Sequence, residues 1–155
     1  MPNMSLGAFA LHLERTAYNM PTRITNALRQ SGGRVQNLAQ SYIGDPTTPA
    51  VRPFPAWRPL AEATVEDRIA KGYTPNETLL REGTLQSSIR HVVVGGELTV
   101  FSRQRVAAYQ EFGTPNARNP IPPRAFIGRA MAQRGRVEAL FVARAAFRPL
   151  FTGRP

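Results

Sequence analysis

The chain contains no cysteine. A disulfide framework and a thiolate zinc site are both excluded on that ground alone. Histidine is nearly as scarce: His12 and His91 are far apart, and only ten acidic residues are available, so a metal site would need scattered carboxylates. Neither histidine is expected to be a ligand. No apolar run approaches the ~20 residues that span a bilayer. Leu6 to Leu13 faintly resembles a signal core, but Glu14 and Arg15 follow it and no positive charge precedes it, the wrong order for secretion. A chain synthesised in the cytoplasm, with no membrane partner, is expected. Catalytic patterns are missing too. No serine sits in a nucleophile elbow, and Gly95-Gly96 lacks phosphate-loop spacing. The expectation is a protein that is not an enzyme and carries no cofactor and no metal.

What the chain does have is arginine, 19 against the single lysine Lys71. Residues 1–102 carry ten basic and eight acidic groups. Residues 103–155 carry ten arginines against Glu111 and Glu138, so eight of the ten net positive charges fall in the last third. Such a surplus attracts nucleic acid, acidic protein surfaces or lipid headgroups. Arginine also suits fixed protein contacts, because its planar fork bonds carboxylates bidentately and is weakly hydrated. The aromatics are not interleaved with the basic residues as a base-stacking platform requires.

The 155 residues fit one domain. Residues 1–43 read as a helical region. Ser5 caps a helix over 5–20 in which Leu6, Phe9, Ala10, Leu13 and Ala17 keep helical spacing, and Pro21 opens a second segment. Ile24, Leu28, Val35 and Leu38 continue through Gly32 and Gly33, where a break and continuity are equally compatible with the pattern, two interior glycines costing about 2 kcal/mol. Residues 44–59, with five prolines and Trp57, read as a loop that packs on the body through the tryptophan. Residues 60–128 read as an α+β core. Thr64 caps a short helix to Lys71, closed by Gly72, with Glu66 and Asp67 complementing its dipole. Gly83-Thr84 begins a helical turn that puts Leu85 and Ile89 on one face. "HVVVGGELTVF" (91–101) reads as a hairpin about Gly95-Gly96. Residues 104–112 read as a helix stopped by Gly113 in a left-handed cap. Residues 129–155 read as a C-terminal helix and tail, the helix running over about 128–148 with Arg129, Arg136, Arg144 and Arg148 roughly on one side. The fold class expected is α+β: a small antiparallel sheet with a central hairpin packed against N- and C-terminal helices.

Four pieces in order, Trp57 to Lys71 ("WRPL…T…K"), "LLREGTLQSSI" (79–89), "AAYQEFGT" (107–114) and "IPPRAFIG" (121–128), carry a resemblance. Over roughly residues 55–130 the chain resembles the virion morphogenesis or tail-completion proteins of Mu-like and related long-tailed phages, which are similar to neck and tail-terminator proteins. Glu111 departs from the different polar residue that relatives often carry before Phe-Gly, and the long proline loop and arginine-heavy tail are unusual for the family.

The resemblance implies a structural subunit of the virion neck or tail-completion ring, joining the DNA-filled head to the tail. It implies a homo-oligomeric ring of six or twelve copies, with six favoured. The neighbours are portal, adaptor, stopper or tail-tube proteins, and genomic DNA passes through the lumen without sequence-specific binding. The protein would then reside at the head–tail junction of the virion. A basic nucleic-acid-binding protein and an assembly chaperone absent from the virion are the alternatives. Candidate structural and interface residues are Arg124, Phe126, Ile127, Pro122, Pro123, Phe112, Gly113 and Trp57. Arg124 is expected to reach a carboxylate or a backbone carbonyl, in its own subunit or the next. Phe126 and Ile127 anchor the terminal helix, Pro122 and Pro123 stiffen the chain before it, and Trp57 is a core lid or an interface residue.

Overall fold

Helix α1 runs unbroken over Leu6–Tyr42, with Ser5 at its N-cap accepting from the Ala8 N–H at 3.3 Å. The computed structural model describes residues 5–118 and 120–152. Pro21 does not open a new helix but sits inside this one. Its missing N–H frees one carbonyl, that of Ala17, and both residues are exposed, so water can satisfy the oxygen. Gly32 and Gly33 do not break it either. Gly32 is buried against the sheet, and a Cβ there would lie 2.5 Å from His91 Cδ2 and 2.6 Å from Leu98 Cδ1. The glycine is the clearance that lets helix and sheet approach.

That sheet is a hairpin, β1 (Ile89–Val94) and β2 (Glu97–Ser102), antiparallel with Ile89 opposite Ser102 and Val94 opposite Glu97. Gly95 and Gly96 both have positive φ, +58° and +81°, as a two-residue turn matching the strand twist requires. Ile89, His91, Val93, Leu98 and Val100 are buried or half-buried, while Arg90, Val92, Val94, Glu97 and Thr99 are exposed. His91 Nδ1 meets Gln36 Oε1 at 2.7 Å, which fixes the ring over Gly32. Its role is to join helix and hairpin.

Three short helices surround this unit: α2 (Glu62–Ala70), α3 (Thr84–Ser88) and α4 (Arg105–Phe112). The expected Thr64 cap is not made. The N-cap of α2 is Ala61, without a side-chain bond, and Thr64 lies one turn inside. Asp67 is not a first-turn residue; it pairs with Lys71 four residues on and with Arg81 at 3.0 Å. Gly113 ends α4, though not in the left-handed helical conformation. Its φ of +73° with ψ of −179° belongs to a region reserved almost wholly for glycine, and a Cβ would meet Ile121 O at 2.8 Å.

The last helix, α5 (Ile127–Thr152), is antiparallel to α1: His12 pairs with the Pro149 carbonyl, Ser31 and Arg34 with Glu138, and Tyr42 with Gln133. Ala27, Ser31, Val35 and Ala39 recur every four residues as a buried, small-residue stripe on α1. One contiguous core joins Val35, Ala39, Tyr42 and Ile43 to Trp57, Leu85, Ile89, Ala107, Phe126 and Ala130. The architecture is thus α+β, with the hairpin packed against the N- and C-terminal helices. The core serves only the second half of α1. In the first half Leu6, Phe9, Leu11, Leu13 and Tyr18 are exposed, so the apolar spacing read there marks a helix but not the core.

Two expected outcomes follow from this packing. Gly33→Ala would place its Cβ 4.0 Å from His91 Cε1, an ordinary van der Waals contact, and should stabilise by up to ~1 kcal/mol through helix propensity. Gly32→Ala should lose that gain and more, leaving it ~1–2 kcal/mol less stable than the parent by urea unfolding. The second concerns Glu138, which is 5% exposed and bonded by Ser31, Arg34 and Arg134. The Arg34 hydrogen bond is the leading cause holding its carboxyl down at about 2, well below the ordinary 4.5. The unfolded chain therefore binds the extra proton between those values, and the stability that Glu138 contributes, on the order of 3 kcal/mol, is present above about pH 5 and lost as pH falls towards 2. The stability difference between parent and Glu138→Gln, read by denaturant titration at several pH values, should shrink across that window.

Candidate functional site

The residues singled out by sequence converge where the proline loop, the end of α4 and the start of α5 meet. Trp57, Phe126 and Ile127 belong to the same core cluster, with Trp57 7% and Phe126 0% exposed. Trp57 stacks obliquely on Tyr42, ring centres 6.4 Å apart. Gly113 lies against Ile121 and Pro123, and Thr114 closes the segment on itself: its N–H donates to Ile121 O at 3.0 Å and its Oγ1 accepts from the Ile121 N–H at 2.9 Å. The Arg124 N–H then donates to Gln110 O at 2.6 Å. Pro122 is half-buried and Pro123 exposed on this closed loop. Phe112 stands apart from the cluster at 78% exposed.

Arg124 is 8% exposed and reaches a backbone carbonyl of its own subunit, Nη2 to Arg58 O at 3.3 Å. Its Nε is buried with no partner, and burial draws the guanidinium below its ordinary value. No carboxylate of the described residues pairs with it.

Two residues at this junction carry more than their sequence positions reveal. Glu111 accepts the backbone N–H groups of Phe126 and Ile127 through Oε2 (2.9 and 3.1 Å) and of Gly128 through Oε1 (2.7 Å). A side chain fifteen residues upstream thereby satisfies three of the four orphan donors of α5 and places negative charge at its positive end. Glu111 is therefore the N-terminal anchor of the last helix. Its signal in the sequence is isolation, since only two acids occur after residue 102.

Arg129 is the other. It is 1% exposed, so it does not share a solvent-facing side with Arg136, Arg144 and Arg148. The guanidinium donates to the carbonyls of Pro49, Pro55 and Ala125 and lies 5.9 Å from both the Tyr42 and Trp57 rings. Helical periodicity placed it correctly on the helix; the proline loop then covers that stretch. With Arg124 and Arg129 buried and Arg134 bridged to Glu138, the exposed arginines described on α5 are Arg136, Arg144 and Arg148. A continuous track of phosphate-contacting residues along the helix is not formed.

The outer surface is apolar in places. On α4, Val106, Tyr109 and Phe112 are exposed at spacings of three. On α5, Val137, Leu140 and Phe147 are exposed, beside an apolar groove of about 450 Å³ between α1 and α5. A cleft of about 790 Å³ opens between the 120–124 segment, α2, α3 and α4. Among the described residues no three His, Asp or Glu side chains gather as a metal site, and no helix is long and apolar enough to cross a membrane. No family model, curated protein or solved structure matches the chain.

Glu111→Ala removes three charge-assisted bonds and leaves the α5 terminus uncapped. We expect a loss of ~2–3 kcal/mol, with hydrogen exchange at Phe126, Ile127 and Gly128 rising before that of the α1–hairpin contact. Uniform exchange across the chain would show that the cap has no local role.

Proposed function

We propose that the protein is a structural subunit of a ring at the head–tail junction of a long-tailed phage, a neck or tail-completion component. The reading rests on the ordered likeness of residues 55–130 to that family. The observation that carries it is the placement of exposed apolar side chains on two separate regions. One comprises the first half of α1, with Leu6, Phe9, Leu11, Leu13 and Tyr18, and the outer side of α5 with Leu140 and Phe147. The other is the α4 stripe ending at Phe112. Contiguous apolar surface beyond a few hundred Å² marks contact with other proteins. A closed ring built head to tail needs two different patches on each subunit. The junction of Glu111, Arg124 and Arg129 would hold the α4 patch in fixed orientation to α5, so that a partner meets a preformed surface.

The test is the virion itself. Particles of the phage that encodes this chain should contain it in ring-like copy number by quantitative mass spectrometry, six or twelve per particle with six favoured, and its absence from particles would overturn the proposal. In solution, Leu13→Asp and Phe112→Asp should each abolish ring formation seen by electron microscopy while changing unfolding stability by less than ~0.5 kcal/mol, because both side chains are exposed.

A further inference from the structure

The 790 Å³ cleft has the size of an ordinary ligand site, and its lining is specific in chemistry. Leu60, Leu85, Val106, Ile121 and Pro122 supply apolar wall, Arg58 and Arg124 supply positive charge, and Glu82 is the one carboxylate of the lining, outnumbered by four arginines. Of the four arginines lining it, Arg68 is already satisfied by the carbonyls of Thr74 and Leu80, and Arg81 is bridged to Asp67. Arg124 is different. It is more than nine-tenths buried, makes one long bond and leaves Nε without a partner. On the same wall Gln110 Oε1 is also buried and unpaired. An unmade bond at a buried polar group costs ~1–3 kcal/mol, which an arriving ligand can recover. The cleft therefore asks for an acceptor opposite Arg124, a donor opposite Gln110, and apolar groups between.

A phosphate or a nucleic-acid backbone brings acceptors only and has nothing for the apolar wall. An extended peptide brings all three: a carboxylate, backbone N–H groups and aliphatic side chains. A second copy of this chain is a poor source. Its described acids lie in helices (Glu14, Glu62, Glu66, Asp67, Glu111, Glu138), in the hairpin (Glu97) or in short loops and a bend (Asp45, Glu77, Glu82). We infer that this cleft docks an extended segment of a different protein, one acidic side chain flanked by aliphatic ones, with the carboxylate on Arg124 and a backbone N–H on Gln110. The inference goes beyond the ring reading and does not need it, since binding is measured on dispersed protein.

The probe is a fluorescein-labelled blocked peptide, Ala-Leu-Glu-Leu-Ala, titrated with the full chain and followed by anisotropy. Saturable binding is expected. Changing the peptide's glutamate to glutamine should weaken it at least ~10-fold, the scale of one charge-assisted bond. Changing both leucines to serine should weaken it comparably. On the protein, Arg124→Gln should reproduce the glutamate loss, and Arg124→Lys should retain part of the affinity. Gln110→Leu should weaken binding without touching the charge. If Arg124→Gln fails to fold, the peptide comparison on the parent chain decides alone. Equal binding of the glutamate and glutamine peptides, or no binding at millimolar peptide, overturns the inference. So does full competition by glutarate at the peptide's own concentration, which would mean a simple anion site. Competition by a short oligonucleotide overturns it in favour of nucleic acid, and occupancy that grows with protein concentration alone overturns it in favour of a second copy.

Discussion

A guanidinium with no ion-pair partner among the described residues organises this protein. Arg129 is buried in the first turn of α5, where positive charge opposes the helix dipole and desolvation alone is worth several kcal/mol against it. It survives because three carbonyls and two aromatic faces replace its water. Glu111 completes the arrangement. Its carboxylate takes the three free N–H groups of the same helix end, and its charge opposes a small part of the desolvation that draws Arg129 below its ordinary value. The acid caps a helix whose first turn holds a buried cation, and the cation fastens the loop that packs over the start of that helix.

Arginine has a further role that composition obscures. Fourteen prolines remove fourteen backbone donors, and loops rich in them hold more carbonyls than N–H groups to pair with them. Arg129 bonds the carbonyls of Pro49 and Pro55, Arg68 those of Thr74 and Leu80, Arg124 that of Arg58, and Arg90 those of Ser87 and Ile89. A side chain with five donors in a fixed fork suits this where lysine would not. The large positive balance is thus partly internal, and a formal charge of +10 overstates the surface available to phosphates.

Local pattern carried much of the fold. The hairpin was legible because two glycines between β-branched runs admit few alternatives, and the helices because their periodicity is strong. Legibility failed where a distant segment decides. Gly32 leaves a break and continuity equally open until the hairpin is laid on it, and Pro21 reads as a helix start until the exposed carbonyl behind it is seen to need no partner. Thr64 and Gly113 show the limit on caps: residue type was right for a terminus, but the cap geometry was set by neighbours. At the candidate site Trp57, Phe126 and Ile127 could be placed in the core by type alone. Glu111 could not, because its partners are backbone groups, which no sequence pattern distinguishes.

The two ends of the molecule are built on opposite terms. Near residues 42–60 and 107–130 many polar groups are matched with one another across the loop, α4 and α5; of the four buried side-chain atoms left without a partner among the described residues, Thr48 Oγ1 and Trp57 Nε1 lie in the loop, and Arg124 Nε and Gln110 Oε1 belong to residues that line one cleft. At the other end α1 and α5 continue as a long antiparallel pair on which Leu6, Leu11, Leu13, Val137 and Leu140 are exposed. A helix pair of that length gains little by itself, since most helical stability comes from burying an apolar face. Its isolated end therefore makes physical sense as a surface completed by something outside the chain. The rigid junction sets the direction in which that surface is presented, and α1, being continuous through Pro21 and Gly32, transmits the direction without a hinge.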